Sequence, residues 1–343
     1  MQTIINVGFI GAGKSTHRYQ APFILRRKDK FKIKTIWARN LDHISWERIP
    51  QVTYTDCLED MLNDQDISLV VISTPVMHYE YAKMALEHGK NVVCEKPFTD
   101  TYEQAVELFN LAEEKNLKIM CIQNRRFDSD FLTTQKVIES GILGDLLEVE
   151  MHYDYYRPYV SENTDHFNPY QGYLYGHACH TIDQAISYFG FPDDYHLEVR
   201  QLLGEGRMND YFDIDFFYKQ TKVSIKSSYF RVKSRPRFVA YGKKGMFTKE
   251  TEDRQEYDLK RFYMPTSDHP DFGMDREEHY GEAIFYDEHG EYHQEKIPTI
   301  NGDYARYYDE VYEMLVNNKE PLVKKEQTLF VMKLLEEGIK QCK

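Results

Sequence analysis

The sequence predicts a two-domain α/β protein: a doubly wound parallel sheet over residues 1–123, then an α+β domain over 124–343 with a largely antiparallel open sheet. Three observations lead there. The chain has 343 residues, more than one ordinary domain holds, and its 41% of hydrophobic residues suffice for two cores. Up to residue 123, short apolar runs alternate with helical stretches, the pattern of parallel strands covered by helices on both faces. Beyond that point strands separated by tight-turn signals dominate, the pattern of an antiparallel meander.

In the first part the expected strands are residues 4–10, 33–37, 68–73, 91–94 and 118–122. The runs Ser-Leu-Val-Val-Ile-Ser and Asn-Val-Val-Cys are apolar without alternation, as strands buried on both faces must be. A helix is expected from His78 to His88, stopped by Gly89. A second runs from Thr101 to Lys115, opened by a capping-box variant at Asp100-x-x-Glu103. In the second part helices are expected over 128–140, closed by Gly141, and over 177–189, closed by Gly190 with Pro192 beyond. A long strand is expected over 146–156. Further strands are expected over 223–229, over 237–241 with 246–249 across Gly-Lys-Lys-Gly, and over 283–286 with 291–294 across Asp-Glu-His-Gly. Two helices, about 303–316 and 326–340, finish the chain.

Charge and cysteine content exclude several classes of function. A formal net charge of -13 repels phosphate backbones and anionic lipid surfaces, so neither nucleic acid nor a membrane is an expected partner. No uncharged apolar run has the length of a bilayer span. The start Met1-Gln-Thr-Ile-Ile-Asn-Val7 leads straight into a strand and lacks the order of a secretion signal, so a cytoplasmic location is expected. The five cysteines are scattered and form no Cys-x-x-Cys pair, and they are expected to be reduced thiols.

The run Gly8-Phe-Ile-Gly11-Ala-Gly13-Lys14-Ser15 satisfies two motifs. Gly8, Gly13, Lys14 and Ser15 have Walker A spacing, while Gly11-x-Gly13 begins a dinucleotide-binding fingerprint. A triphosphatase also needs an Asp at the end of a later buried strand. The later strands here end in Ser73-Thr74-Pro75 and Cys94-Glu95-Lys96-Pro97, so the Rossmann reading prevails. Its third glycine position holds Thr16, which falls on the glycine whose task is helix packing, the least demanding of the three. The second strand ends Ile36-Trp37-Ala38-Arg39-Asn40, without the acid that grips an NAD ribose. An arginine there suits a 2'-phosphate, so NADP is the expected cofactor, with NAD as the alternative.

Beyond these elements, Val7-Gly-Phe-Ile-Gly-Ala-Gly13, Ser73-Thr-Pro75 with His78, and Gly89-Lys-Asn-Val-Val-Cys-Glu95-Lys96-Pro97 occur in order. Asn124-Arg-Arg-Phe127, Gly141-Ile-Leu-Gly144 and His180-Thr-Ile-Asp183 follow. In these residues the chain resembles the glucose-fructose oxidoreductase, inositol dehydrogenase and rhizopine-catabolism family (Gfo/Idh/MocA) over nearly its whole length. The resemblance implies a nicotinamide-dependent dehydrogenase or reductase with no metal. It implies that Lys96 and His180 form the catalytic pair and that Lys96-Pro97 is cis. Gly11, Gly13, Lys14, Ser15, Arg39, Ser73, Thr74, Pro75, His78, Glu95 and Lys96 are then the expected cofactor residues. Chemistry agrees: as hydride leaves an alcohol carbon, a base must take the hydroxyl proton, which suits histidine, and a lysine cation stabilises the developing alkoxide. Asp183 lies one helical turn after His180, where it can orient the imidazole. The family usually carries an aspartate four residues before the histidine. This chain has Gly176 there, and His177 is the candidate substitute. His177, His180 and Asp183 also share i, i+3, i+6 spacing, which places three metal-ligating residue types on one helical face.

The segment His152-Tyr-Asp-Tyr-Tyr-Arg-Pro158 is dense in polar aromatics. Alternation places Asp154 and Tyr156 on one face and Tyr153, Tyr155 and Arg157 on the other. Aromatic platforms with polar edges suit sugars and polyols, and arginine suits an acidic or phosphorylated sugar. Tyr156, Arg157, Arg125 and His177 join Lys96 and His180 as expected substrate residues. The rival function is a non-catalytic NADP-binding sensor, favoured by Gly176. A flat second-domain sheet predicts a homodimer or larger homo-oligomer.

Overall fold

The computed structural model describes residues 3–159, 168, 170 and 172–342. They form two compact units, each of several chain segments: Met1–Asn124, Asp258–Phe272 and Tyr304–Met332 in unit 1, and Arg125–Tyr257, Gly273–Asp303 and Lys333–Lys343 in unit 2. Among the described residues no helix is long and apolar enough to cross a membrane.

Unit 1 is built on six strands: β1 (Ile5–Ile10), β2 (Phe31–Trp37), β3 (Thr53–Thr55), β4 (Leu69–Ile72), β5 (Asn91–Cys94) and β6 (Ile119–Cys121). Their order is β3-β2-β1-β4-β5-β6 and every neighbouring pair is parallel. All four residues of β4 are 0% exposed, which is why its sequence carries no alternation. The crossover helices are α1 (Ala21–Leu25), α2 (Leu58–Leu62), α3 (His78–Glu87) and α4 (Tyr102–Glu114). The cap of α4 sits one residue later than expected. Thr101, in extended backbone, accepts from the Gln104 N–H, and the Gln104 side chain accepts from the backbone N–H groups of Thr101 and Asp100. Strand β3 and helix α2 have no counterpart in the expected list, because three polar-flanked residues and one helical turn are too short to show a period.

Strand order in this sheet reverses between β1 and β4, the place where doubly wound sheets bind ligands at the strands' carboxyl ends. Helix α8 (Ala305–Val316) returns to unit 1. Its Tyr307 donates to the Cys121 carbonyl and its Tyr312 to the Thr3 carbonyl, while Tyr308 and Tyr312 meet the Phe31 ring edge-on.

Unit 2 holds an eight-stranded sheet of order β14-β13-β12-β11-β7-β10-β9-β8. The strands are β7 (Leu146–His152), β8 (Asp194–Arg200), β9 (Tyr211–Phe217), β10 (Lys222–Ser228), β11 (Phe238–Gly242), β12 (Gly245–Lys249), β13 (Gly281–Tyr286) and β14 (Tyr292–Ile297). Only β7 and β10 pair in parallel among them. Unit 2 also holds helices α5 (Ser129–Glu139) and α6 (Cys179–Phe189), with a π-helical turn, Leu174–Ala178, leading into α6, while α7 (Arg254–Lys260) and α9 (Lys325–Ile339) each begin in one unit and end in the other. Strands β8 and β9 escaped the sequence reading because each alternates charged with apolar residues and shows no continuous apolar run. The expected strand 146–156 stops at His152. Beyond it the Tyr153 carbonyl accepts from Tyr173 and Ser227 side chains, and Tyr156 makes only an isolated bridge to Phe230.

Candidate active site

In unit 1 the carboxyl end of β1 turns sharply at Gly11, with φ +113° and its N–H donating to the Trp37 carbonyl at 3.0 Å. A Cβ at Gly11 would lie 3.1 Å from the Ser73 carbonyl carbon and oxygen, so glycine is required there. Gly13 differs: it is exposed, and a Cβ would meet nothing within 4 Å. No protein atom demands glycine at 13, so the space beside its backbone fits an outside group such as a pyrophosphate. Helix starts at Lys14, whose exposed side chain stands at the turn that leads into the π-helical run Ser15–Gln20. Backbone N–H groups at such a start favour an anion. Thr16 is no mere substitute for glycine: its hydroxyl donates to the Gly11 carbonyl at 2.6 Å and meets Ser73 Oγ at 2.6 Å, stitching the loops after β1 and β4 together. His17, unnoticed in the sequence, stacks on Trp46 at 5.6 Å and holds the Gly13 carbonyl through Nδ1 at 3.1 Å. Burial pushes the His17 pKa down, which favours the neutral ring.

The loops after β4 and β5 are clamped to each other. His78 places Nε2 2.7 Å from the Thr74 carbonyl and Nδ1 2.6 Å from the Pro97 carbonyl, while Thr74 Oγ1 donates to Val76. The Lys96-Pro97 peptide is cis. Glu95 is buried and turned inward: its carboxylate accepts from Ser15 Oγ, from Gln20 Nε2 at 2.6 Å and from the Lys96 backbone N–H at 3.2 Å. Ser15 and Glu95, expected to touch the cofactor, therefore bond to each other and brace the loop carrying Lys96. Arg39 is exposed beyond β2, and its Nη2 lies 3.8 Å from Met77 Sδ. Val76 and Met77, 44% and 40% exposed, form an apolar patch beside it that the sequence reading missed. The available signal was an apolar pair standing between Pro75 and a helix start. Ser73 is buried and serves the Thr16 stitch, and Pro75 lies in the same loop.

In unit 2 the structure redirects several expected residues. Asp183 does not reach for His180: both its oxygens accept from buried Arg126, at 2.7 Å each. Burial lifts the Asp183 carboxyl against the pull of Arg126. The His177, His180, Asp183 trio thereby lacks its carboxylate as a metal ligand. Arg125 is matched by Asp128 at 3.2 Å and Glu256 at 3.3 Å, and its guanidinium lies 5.5 Å from the Tyr153 ring centre. His180 is buried on α6. His177 is half-exposed and surrounded by the rings of Tyr173, Tyr155 and Tyr153 at 4.4, 5.5 and 5.6 Å. Arg157 stacks on Tyr155 at 4.4 Å and on Tyr229 at 5.6 Å. Tyr156, expected to meet substrate, is 56% exposed on the opposite side from this cluster, because alternation along the extended chain sends 153, 155 and 157 together and 156 away. At Gly176 a Cβ would meet nothing within 4 Å.

Residues 5–123 match the oxidoreductase family with an NAD-binding Rossmann fold, and residues 135–343 match the C-terminal α/β domain of that family. The chain is 42% identical over 343 residues to the uncharacterized oxidoreductase YhhX of Escherichia coli (strain K12), covering 99% of this chain and 97% of the relative. It is 30% identical over 341 residues to the scyllo-inositol 2-dehydrogenase (NADP(+)) IolW of Bacillus subtilis (strain 168), covering 99% and 94%. A crystal structure of a probable oxidoreductase yhhX superposes with TM-score 0.91 at 42% identity, over 98% of this chain and 97% of that one. An oxidoreductase structure from Bacillus cereus gives TM-score 0.89 at 40% identity, over 97% and 95%. The glycine turn, the six-stranded parallel sheet and these full-length matches agree, and the chain belongs to the Gfo/Idh/MocA oxidoreductase family.

Proposed function

We propose that this protein is an NADP-dependent dehydrogenase or reductase that interconverts a hydroxyl and a carbonyl on a polyol, sugar or cyclitol, with Lys96 and His180 as its catalytic pair. The observation that carries the cofactor reading is the contrast at the glycine turn: the protein's own atoms require Gly11, whereas nothing in the protein requires Gly13. Gly11, Gly13 and Lys14 would hold the pyrophosphate, and Arg39 beside Val76 and Met77 would hold the phosphorylated adenosine end. Bound nicotinamide supplies the hydride acceptor or donor. In the oxidative direction His180 takes the hydroxyl proton on an imidazole nitrogen, while the Lys96 ammonium donates to the same oxygen and stabilises its developing charge. His78 and Glu95 act on Lys96 only by fixing its loop. The NADP-linked scyllo-inositol dehydrogenase among the relatives supports both cofactor and substrate class. We also place the working protein in the cytoplasm as a homodimer or larger homo-oligomer.

The test is a titration with NADPH and NADH, read by energy transfer from Trp37 and its neighbours, followed by turnover on scyllo-inositol and a polyol panel. NADPH should bind at least tenfold tighter than NADH, and Arg39→Ala should erase the difference, a loss of about 1–3 kcal/mol. Lys96→Ala and His180→Ala should each lower kcat by about a hundredfold or more with nucleotide affinity kept. Failure to bind either nucleotide overturns the reading, and equal affinity for both removes the NADP preference.

A further inference from the structure

Most arginines around the candidate site in unit 2 are already matched: Arg125 by Asp128 and Glu256, Arg126 by Asp183, Arg235 by Asp154, and Arg237 by Asp130. Arg157 differs from them. It is exposed and, among the described residues, has no carboxylate partner. Its guanidinium carbon lies 4.4 Å from the Tyr155 ring centre and 5.6 Å from that of Tyr229, and its backbone N–H donates to the Tyr229 carbonyl at 2.8 Å. A solvated arginine samples many rotamers, whereas this one is held flat against two rings. Stacking occupies the face of the guanidinium and leaves its N–H edge, a fork that matches a carboxylate or a phosphate, ordered in advance.

The place is open to solvent. Tyr155, Tyr229 and His177 are each half-exposed, the Tyr155 and His177 rings lie 5.5 Å apart, and a Cβ at Gly176 would meet nothing within 4 Å. His177 precedes His180 by one helical turn, so the cluster adjoins the proposed proton acceptor. The local charge narrows the ligand. Asp154 and Asp210, the carboxylates felt at Tyr173 and Tyr229, are engaged elsewhere: Asp154 accepts from Arg235 at 2.8 and 2.9 Å, and Asp210 from the Leu202 and Leu203 N–H groups at 2.9 and 2.8 Å. The cluster therefore keeps one positive charge for a partner from outside. We infer that Arg157 binds an acidic group, a carboxylate or a phosphate, carried by the polyhydroxy substrate. This rests on the oxidoreductase reading and narrows it to acidic sugars and polyols, with uncharged compounds such as scyllo-inositol as the weaker substrates.

The experiment measures kcat/KM for wild type, Arg157→Met and Arg157→Lys on glucose, galactose and mannose, on their uronic acids and primary phosphate esters, and on scyllo-inositol. Tm, NADPH affinity and solution mass are recorded for each variant. Wild type should prefer an acidic compound to its neutral parent by about tenfold or more, and the preferred member, uronic acid or phosphate ester, identifies the group. Arg157→Met should lower kcat/KM on that compound about 10- to 100-fold, chiefly through KM, while rates on the neutral parent, Tm and NADPH affinity stay unchanged. Arg157→Lys should recover part of the loss, as a point charge replacing a fork. Equal or better turnover of the neutral compounds by wild type overturns the inference. So does an acid-to-neutral ratio that Arg157→Met leaves within twofold; a fall in solution mass alongside it would assign Arg157 to a contact between copies. If wild type turns nothing over, the oxidoreductase reading fails separately, and thermal shift by the uronic acids and phosphate esters with NADPH present decides the rest. A shift lost in Arg157→Met supports the inference, and an equal shift or none overturns it.

Discussion

The glycine turn of unit 1 and the histidine surroundings of unit 2 are assembled by opposite means. Around Gly11 the site is made of backbone: carbonyls and N–H groups at strand ends, stitched by Thr16, Ser73 and His78 through single short hydrogen bonds. Around His177 and His180 it is made of side chains: buried arginine–carboxylate pairs and tyrosine rings contributed by residues far apart in sequence. The backbone site tolerates little at a given position but depends on few partners. The side-chain site depends on every charge keeping its counterpart, since an uncompensated buried ion is expensive.

Three substitutions test this contrast. The largest effect is expected in unit 2: Asp183→Asn leaves buried Arg126 without its bidentate partner and should cost about 3–5 kcal/mol in denaturant unfolding. Preserved stability with abolished turnover would instead return Asp183 to the proton chemistry. In unit 1, Gly11→Ala should cost about 2–4 kcal/mol, from the positive φ and the contact with Ser73. Gly13→Ala should leave stability within about 0.5 kcal/mol while weakening NADPH binding about tenfold. Equal losses of stability from the two would mean that the protein, and not a ligand, needs both glycines.

A fourth test is a pH effect. His152 is buried, donates from Nδ1 to the Pro236 carbonyl at 2.7 Å, and has its pKa pushed from 6.5 down to about 4 by burial and by the Arg235 cation. Because the unfolded chain binds this proton first, stability present above pH 6.5 is lost as pH falls toward 4, by up to about 3 kcal/mol. His152→Asn should flatten that window in a series of unfolding curves. An unchanged slope would assign the acid sensitivity to another group.

How much could be read in advance follows the same division. Continuous apolar runs marked β4 and β5, and the glycine spacing marked the turn, because buried parallel strands and close backbone approach leave signatures within a few residues. Thr16 looked like a fault in the motif and proves to be a fastener, since its hydroxyl meets a strand end 57 residues away. Strands β8 and β9 were missed because one polar face halves their apolar content. The tyrosine segment divides into two faces, and alternation cannot say which of them meets His177: the structure groups Tyr153 and Tyr155 with that ring, stacks Arg157 on Tyr155 and leaves Tyr156 exposed.

The sequence by itself determined the fold class, the family, the glycine turn and the residue types available for hydride chemistry, all carried by local period and spacing. The tertiary structure alone decided that Asp183 belongs to Arg126, that Ser15 and Glu95 hold each other, and that the Tyr153 hydroxyl finds no partner among the described residues. Those outcomes depend on which distant side chains meet in a desolvated interior, where pairing energies are large and no periodicity records them.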